Sequence, residues 1–174
     1  MSSDVGEWST AIAQVQHDDV LIRGYALTDL IGKITYMDSV FLVHTGELPT
    51  SEQRQMMDAM YVSLIEHGIS PTTIIARTLA SCGTPSQASL AGAMLSIADW
   101  HGGSGEQLGE LLAELVDTSS NDDELRVHSA ELVAAHQAQR RRFEGFGHPQ
   151  HPDADPRAMK LFSVAEATGV AGRH

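Results

Sequence analysis

A single cysteine, Cys82, leaves this chain of 174 residues no internal disulfide. Cationic residues are scarce as well: 11 Lys and Arg stand against 23 Asp and Glu, a formal net charge of -12. That balance offers no broad positive footprint, which argues against DNA or RNA as the main partner. Long apolar runs are missing, since stretches such as Ser39-Val40-Phe41-Leu42-Val43 fall far short of a bilayer span, so no membrane association is expected. The opening Met1-Ser2-Ser3-Asp4-Val5-Gly6-Glu7 has neither the basic start nor the apolar centre of a secretory signal. Together these absences point to the cytoplasm. What is present is a 42% apolar content, enough for a globular core of one domain or slightly more.

Strand-type alternation is almost absent, and helical periodicity runs through most of the chain, so an all-α fold is expected. Tyr25 to Gly32 and Tyr36 to His44 read as short helices, the second stopped at Gly46-Glu47-Leu48-Pro49. Thr50 or Ser51 can cap a longer helix, on which Met56, Met57, Met60, Leu64 and Ile65 recur up to a break at His67-Gly68. Ser70-Pro71 opens another, ending near Cys82. Ser86 to Trp100, rich in small residues, reads as the central core helix. Beyond the His101-Gly102-Gly103-Ser104-Gly105 break lie helices at Glu106 to Val116 and Asp122 to Arg142. The second of these places Arg140, Arg141 and Arg142 at a negative helix end. An irregular loop from Phe143 to Pro156 precedes a last helix from Arg157 to about Thr168.

Three of the nine histidines, His67, His101 and His148, sit at breaks between helices. His101, next to a Gly-Gly turn, is placed to donate a hydrogen bond to a developing enolate oxygen, against the alternative of an ordinary loop histidine. Around His148, Gly145 and Gly147 allow close approach of a ligand, Pro149 and Pro152 stiffen the loop, and Arg157 can grip a carboxylate bidentately. The pattern suits an anionic ligand. His148, His151, Asp153 and Asp155 also mix nitrogen and oxygen donors, but with no cysteine pair and no helical His-Glu-x-x-His, no metal is expected. The arginine run can hold a nucleotide phosphate or simply complement a helix end.

These pieces, in this order, resemble the citrate synthase family, in particular its citryl-CoA lyase and citrate synthase-like members. The residues that carry the resemblance begin with Ile22-Arg23-Gly24-Tyr25-Ala26-Leu27-Thr28-Asp29-Leu30-Ile31-Gly32 and Gly46-Glu47-Leu48-Pro49-Thr50. Glu66-His67-Gly68, Ala76-Arg77, Ala91-Gly92, His101-Gly102-Gly103, Gly145-Phe146-Gly147-His148-Pro149 and Asp155-Pro156-Arg157-Ala158 follow. The resemblance implies a multihelical homodimer, with an N-terminal extension over 1–20, large-domain helices over 21–101 and part of a small domain over 102–174. It also implies acetyl-CoA and oxaloacetate chemistry, either condensation or the cleavage of citryl-CoA. His101 would then stabilise the thioester enolate, and His148 would act at the oxaloacetate carbonyl or the citryl hydroxyl. His67 and Arg157 would bind carboxylates. Coenzyme A, as part of the acyl-CoA substrate, would lie against Gly145, Phe146 and Gly147; Arg141, taken from the arginine run and not from a matched motif, is the candidate for its phosphate.

Two departures accompany the resemblance. The family's proton-abstracting aspartate lies well beyond the Asp-Pro-Arg motif, and this sequence ends at Gly172-Arg173-His174, so a form lacking the C-terminal part is expected. The family's basic residue four positions after the loop histidine is Pro152 here. Two other readings remain open: a module that binds a CoA ester or polycarboxylate without turnover, and a helical interaction protein.

Overall fold

The computed structural model describes residues 9–148, 151 and 153–172. The Met1–Glu7 segment, the stiffening prolines Pro149 and Pro152, and Arg173 and His174 lie outside the described residues. Among the described residues are eight helices and one small sheet, and no helix is long and apolar enough to cross a membrane. They divide into two compact units. One holds the described residues up to Val62 together with Ser163–Val170, and the other those from Ser63 to Phe162 with Ala171 and Gly172.

The first unit opens with an antiparallel sheet that the sequence reading did not anticipate. Its strands β1 (Ala13–Val15), β2 (Val20–Ile22) and β3 (Tyr25–Ala26) pair in chain order. β2 and β3 are joined by Arg23 and Gly24, both at positive φ (49° and 90°), the two-residue turn whose twist matches that of paired strands. A non-glycine residue is uncommon there, and the Arg23 side chain is tied in place. Its Nε and Nη2 both donate to the Val43 carbonyl, at 3.0 and 2.7 Å. The helix expected from Tyr25 therefore begins only at Leu27, as α1 (Leu27–Leu30).

Capping fixes the next two helices. At α2 (Tyr36–Thr45), the Asp38 amide donates to Thr35 Oγ1 at 3.2 Å and the Thr35 amide donates back to Asp38 Oδ2 at 2.8 Å. At α3 (Ser51–Ser63), Thr50 and Gln53 repeat the exchange, so Thr50 rather than Ser51 is the cap. Leu42 is fully buried, and Asp38, 1% exposed, bonds the Arg54 guanidinium from α3. Burial pushes the Asp38 carboxyl up, but the Arg54 hydrogen bond and the Thr35 contacts outweigh it and hold the group below its ordinary value.

In the second unit, α4 (Pro71–Ser81) starts with proline at its first position after Ser70, as expected. It packs on α5 (Ser86–Met94) so tightly at Gly92 that a β-carbon there would come within 2.5 Å of Leu79. α5 stops six residues short of the expected Trp100, and Trp100 itself is 92% exposed. α6 (Ser104–Asp117) and α7 (Asp122–Ala138) follow, the latter capped by Asn121 Oδ1 on the Glu124 amide at 3.0 Å. Between them, Ser119 Oγ and His128 Nδ1 are 2.9 Å apart.

α7 ends at Ala138, not Arg142. Arg140 takes φ 53°, its amide donates to the Gln137 carbonyl, and the Arg141 amide donates to the His136 carbonyl. This is the left-handed helix stop that glycine ordinarily provides. Arg140 to Arg142 thus lie past the helix end rather than along its last turn. α8 (Pro156–Thr168) ends in the same way, with Gly169 at φ 71°.

Candidate functional site

The close-packed α4–α5 pair brings the start of α4 to the segment that follows α5. His101 Nε2 lies 3.4 Å from Thr72 Oγ1 in the first turn of α4, and the His67 and His101 rings are 5.9 Å apart, centre to centre. Thr72 Oγ1 is itself 2.9 Å from Ser70 Oγ, and the Ser70 amide donates to Thr73 Oγ1 at 2.9 Å. Ser70 is buried. A network of hydroxyls thus holds the start of α4 beneath the two imidazoles, and Glu66 fixes the His67 turn by accepting from the Gly68 amide.

The backbone around His101 is locked. Ala98 and His101 exchange both amide-carbonyl hydrogen bonds, at 2.8 and 3.1 Å, and the Gly103 amide also donates to the Ala98 carbonyl at 3.0 Å. Gly102 takes φ 96°, and a β-carbon on Gly103 would come within 3.0 Å of the Ala98 carbonyl oxygen. Only glycines fit this reversal, which directs the chain from His101 straight into α6.

The 145–148 loop docks onto that same helix start. A β-carbon on Gly145 would stand 2.8 Å from Leu108 and 3.1 Å from the Ser104 carbonyl oxygen, three residues after His101. His148 pairs with His151, with ring centres 4.8 Å apart and the His151 amide donating to the His148 carbonyl at 3.3 Å. Arg157, at the start of α8, is gripped by Asp155: Nε to Oδ1 at 3.0 Å and Nη2 to Oδ2 at 2.6 Å. The Arg157 hydrogen bonds, chiefly that from its side chain, hold the Asp155 carboxyl well below the usual carboxylate range.

The candidate residues therefore fall into groups. His67 joins His101 through ring contact, Gly145 places its loop beside Ser104, His148 pairs with His151, and Arg157 pairs with Asp155. Arg141 lies elsewhere, in a groove between α6 and α7. There two cavities, of about 380 and 510 Å³, share Leu111, His136, Arg141 and Phe143. His136 and Phe143 stack at 4.0 Å, and Phe146 lines the larger cavity but neither contains His67, His101 or His148. Among the described residues, no group of three or more His, Cys, Asp or Glu converges as a metal centre would require. Sequence reasoning missed Thr72, which carries no signal beyond its place after Pro71. It also missed the Asp155 clamp, whose signal was the spacing of acid and arginine across one proline.

Comparison with known proteins matches the chain to a family. Residues 51–173 fit the model of the citrate synthase C-terminal domain. The chain belongs to the citrate synthase family. It is similar to the citrate/2-methylcitrate synthase of Bacillus subtilis, at 29% identity over 144 residues, covering 81% of this chain and 37% of that protein. It also resembles the structure of citryl-CoA lyase from Hydrogenobacter thermophilus, at 33% identity and a TM-score of 0.83, over 96% of this chain and 63% of the other. The fold of citrate synthase from Thermotoga maritima overlays with a TM-score of 0.62 at 23% identity, over 80% of this chain and 37% of the other. The chain thus spans little more than a third of the Bacillus relative and under two thirds of the lyase. The mainly helical architecture agrees with the expected fold, with the small sheet as an addition.

Proposed function

We propose that this chain carries out citryl-CoA chemistry of the lyase type, cleaving citryl-CoA to acetyl-CoA and oxaloacetate or running the reverse condensation. The observation that carries this reading is the contact of His67 and His101 over the first turn of α4, with the Gly145 loop docked three residues beyond His101. In cleavage, the citryl hydroxyl gives up its proton as its oxygen becomes the carbonyl of oxaloacetate. The carbon-carbon bond breaks, and its electron pair passes to the acetyl thioester as an enolate that is protonated at carbon. His101 donates a hydrogen bond to the enolate oxygen. His148 acts at the hydroxyl or carbonyl. His67 and Arg157 bind the carboxylates, and the partial occupation of Arg157 by Asp155 makes its free edge the docking point.

Coenzyme A would lie along the backbone of Gly145, Phe146 and Gly147, with Arg141 holding a phosphate. The proposal includes no metal. A second copy of the chain is the proposed partner, supported by the exposed apolar run Leu90, Met94, Leu95 and Trp100 at the end of α5 and beyond it. A cytoplasmic location, with no membrane or nucleic acid as partner, is part of the proposal. The test is a coupled assay with citryl-CoA, and with acetyl-CoA plus oxaloacetate, for the chain and its His101→Ala variant. Turnover that the variant loses by 100-fold or more, on the order expected for an oxyanion donor, supports the reading. Tight CoA binding with no turnover in either direction would favour a binding module instead.

A further inference from the structure

Asp155 takes Arg157 by one edge only. Its Oδ1 accepts from Nε at 3.0 Å, its Oδ2 accepts from Nη2 at 2.6 Å, and Oδ1 also accepts from the Arg157 backbone amide at 2.9 Å. Three donors of one residue converge on the carboxylate two positions earlier. The intervening Pro156 has its φ fixed by its ring, which closes this loop with little freedom to lose. A guanidinium carries five N–H donors in a planar fork. With the Nε–Nη2 side taken, both Nη1 hydrogens and the second Nη2 hydrogen remain, and that Nη2 hydrogen forms the end-on edge of the fork with one of the two on Nη1. Arg157 keeps 37% of its side chain exposed against 21% for Asp155, so the clamp leaves the arginine side chain open to solvent in part.

We infer that Asp155 is a positioning residue that fixes the plane of Arg157, so that its Nη1–Nη2 edge receives one substrate carboxylate end-on. The inference rests on the proposed reading of Arg157 as a carboxylate-binding residue and deepens it. Two consequences distinguish it from a purely structural capping role for Asp155. The pair is formally neutral, so an anion gains little from net charge and much from matching the fork. Anions that offer two oxygens to the fork, a carboxylate among them, are therefore selected over monatomic anions of the same charge. The orientation is also present before any ligand arrives, because the clamp and the helix start are made by the same carboxylate.

The test uses Asp155→Ser and Asp155→Asn. Serine keeps a good cap for α8 but cannot hold the fork, and asparagine keeps an acceptor while losing the charge. Calorimetric titration with citrate, alone and against competing chloride, should show citrate affinity falling about tenfold in both variants, with the competition by chloride unchanged or stronger. In nitrogen-15 spectra, the Arg157 Nε–H signal, assigned by its loss in Arg157→Lys, should be protected in the unliganded chain and lost to exchange in both Asp155 variants. Thermal unfolding of Asp155→Ser within a few degrees of the parent shows that the cap has survived. Citrate affinity in that folded variant equal to or above the parent's overturns the positioning role and leaves the Arg157 reading intact. A parent chain that binds no citrate overturns both.

Discussion

Gly145 lies against the Ser104 carbonyl oxygen so closely that a β-carbon on it would stand 3.1 Å from that atom and 2.8 Å from Leu108. The oxygen belongs to helix backbone and cannot move aside. Gly145 also holds φ 77°, a conformation that costs an L-residue roughly 1–2 kcal/mol. Gly147, at φ 92°, has nothing within 4 Å of the same position. Gly147→Ala should therefore cost about 1 kcal/mol of unfolding free energy in urea, and Gly145→Ala about 2–4 kcal/mol, the difference being overpacking. Equal costs for the two would mean that the loop does not rest on α6.

Arg140 occupies the place at the end of α7 that Gly169 occupies at the end of α8. Arg140→Gly relieves a left-handed strain of roughly 1–2 kcal/mol and adds an unfolded-state entropy penalty of about 0.5–1 kcal/mol. A net gain of about 0.5–1 kcal/mol is expected, with Gly169→Ala losing about 1 kcal/mol as the mirror experiment. Thermal melts of both variants check this. A destabilised Arg140→Gly would show that the arginine side chain contributes more than its backbone strain removes.

Much of the fold was legible because punctuation marked it. Ser70-Pro71 and Asp155-Pro156 each stand where a helix begins, and Gly46, Gly83 and Gly169 each stand at positive φ where one ends. Where punctuation was missing, the reading ran on. Arg140 does a glycine's work without being one, so α7 read four residues too long. Leu95 to Trp100 has the composition of the helix before it, and only the Ala98–His101 exchange, a contact of backbone groups, turns the chain away. The strands of two or three residues were too short to show alternation, and their turn uses Arg23 where asparagine would have signalled it.

The candidate site was legible as residue types at breaks, and less so as contacts. His67 and His101 meet because α4 and α5 pack at Gly92 and Leu79, a long-range fact that no local pattern encodes. Arg141 was a candidate for its charge alone, and the groove it lines with His136 and Phe143 follows from where α7 stops.

Asp38 gives the first unit an acid-sensitive contact. Its folded carboxyl is held below the ordinary value, so its contribution is present above that value and lost as pH falls through the lowered one. In Arg54→Met the opposing guanidinium is gone, burial pushes the group up, and the loss sets in at higher pH. Urea unfolding between pH 7 and pH 3 should show Arg54→Met losing about 1–3 kcal/mol at pH 7. It should also begin its acid decline earlier than the parent. An unchanged acid profile would remove Asp38 from the account of acid stability.

Thr72 offers the sharpest separation of chemistry from fold at the candidate site. Its hydroxyl is the partner of His101 Nε2 at 3.4 Å and of Ser70 Oγ at 2.9 Å, and valine has nearly its shape. Thr72→Val leaves the His101 backbone fixed to Ala98 but removes the hydroxyl beside its Nε2. A hydrogen bond of this kind contributes about 1 kcal/mol, so turnover in the citryl-CoA assay should fall about fivefold while the affinity for CoA stays unchanged. If the hydroxyl orients the imidazole, combining Thr72→Val with His101→Ala should add nothing to the loss caused by His101→Ala alone. Additive losses would place Thr72 on the substrate directly, as a hydroxyl donor in its own right rather than through the histidine.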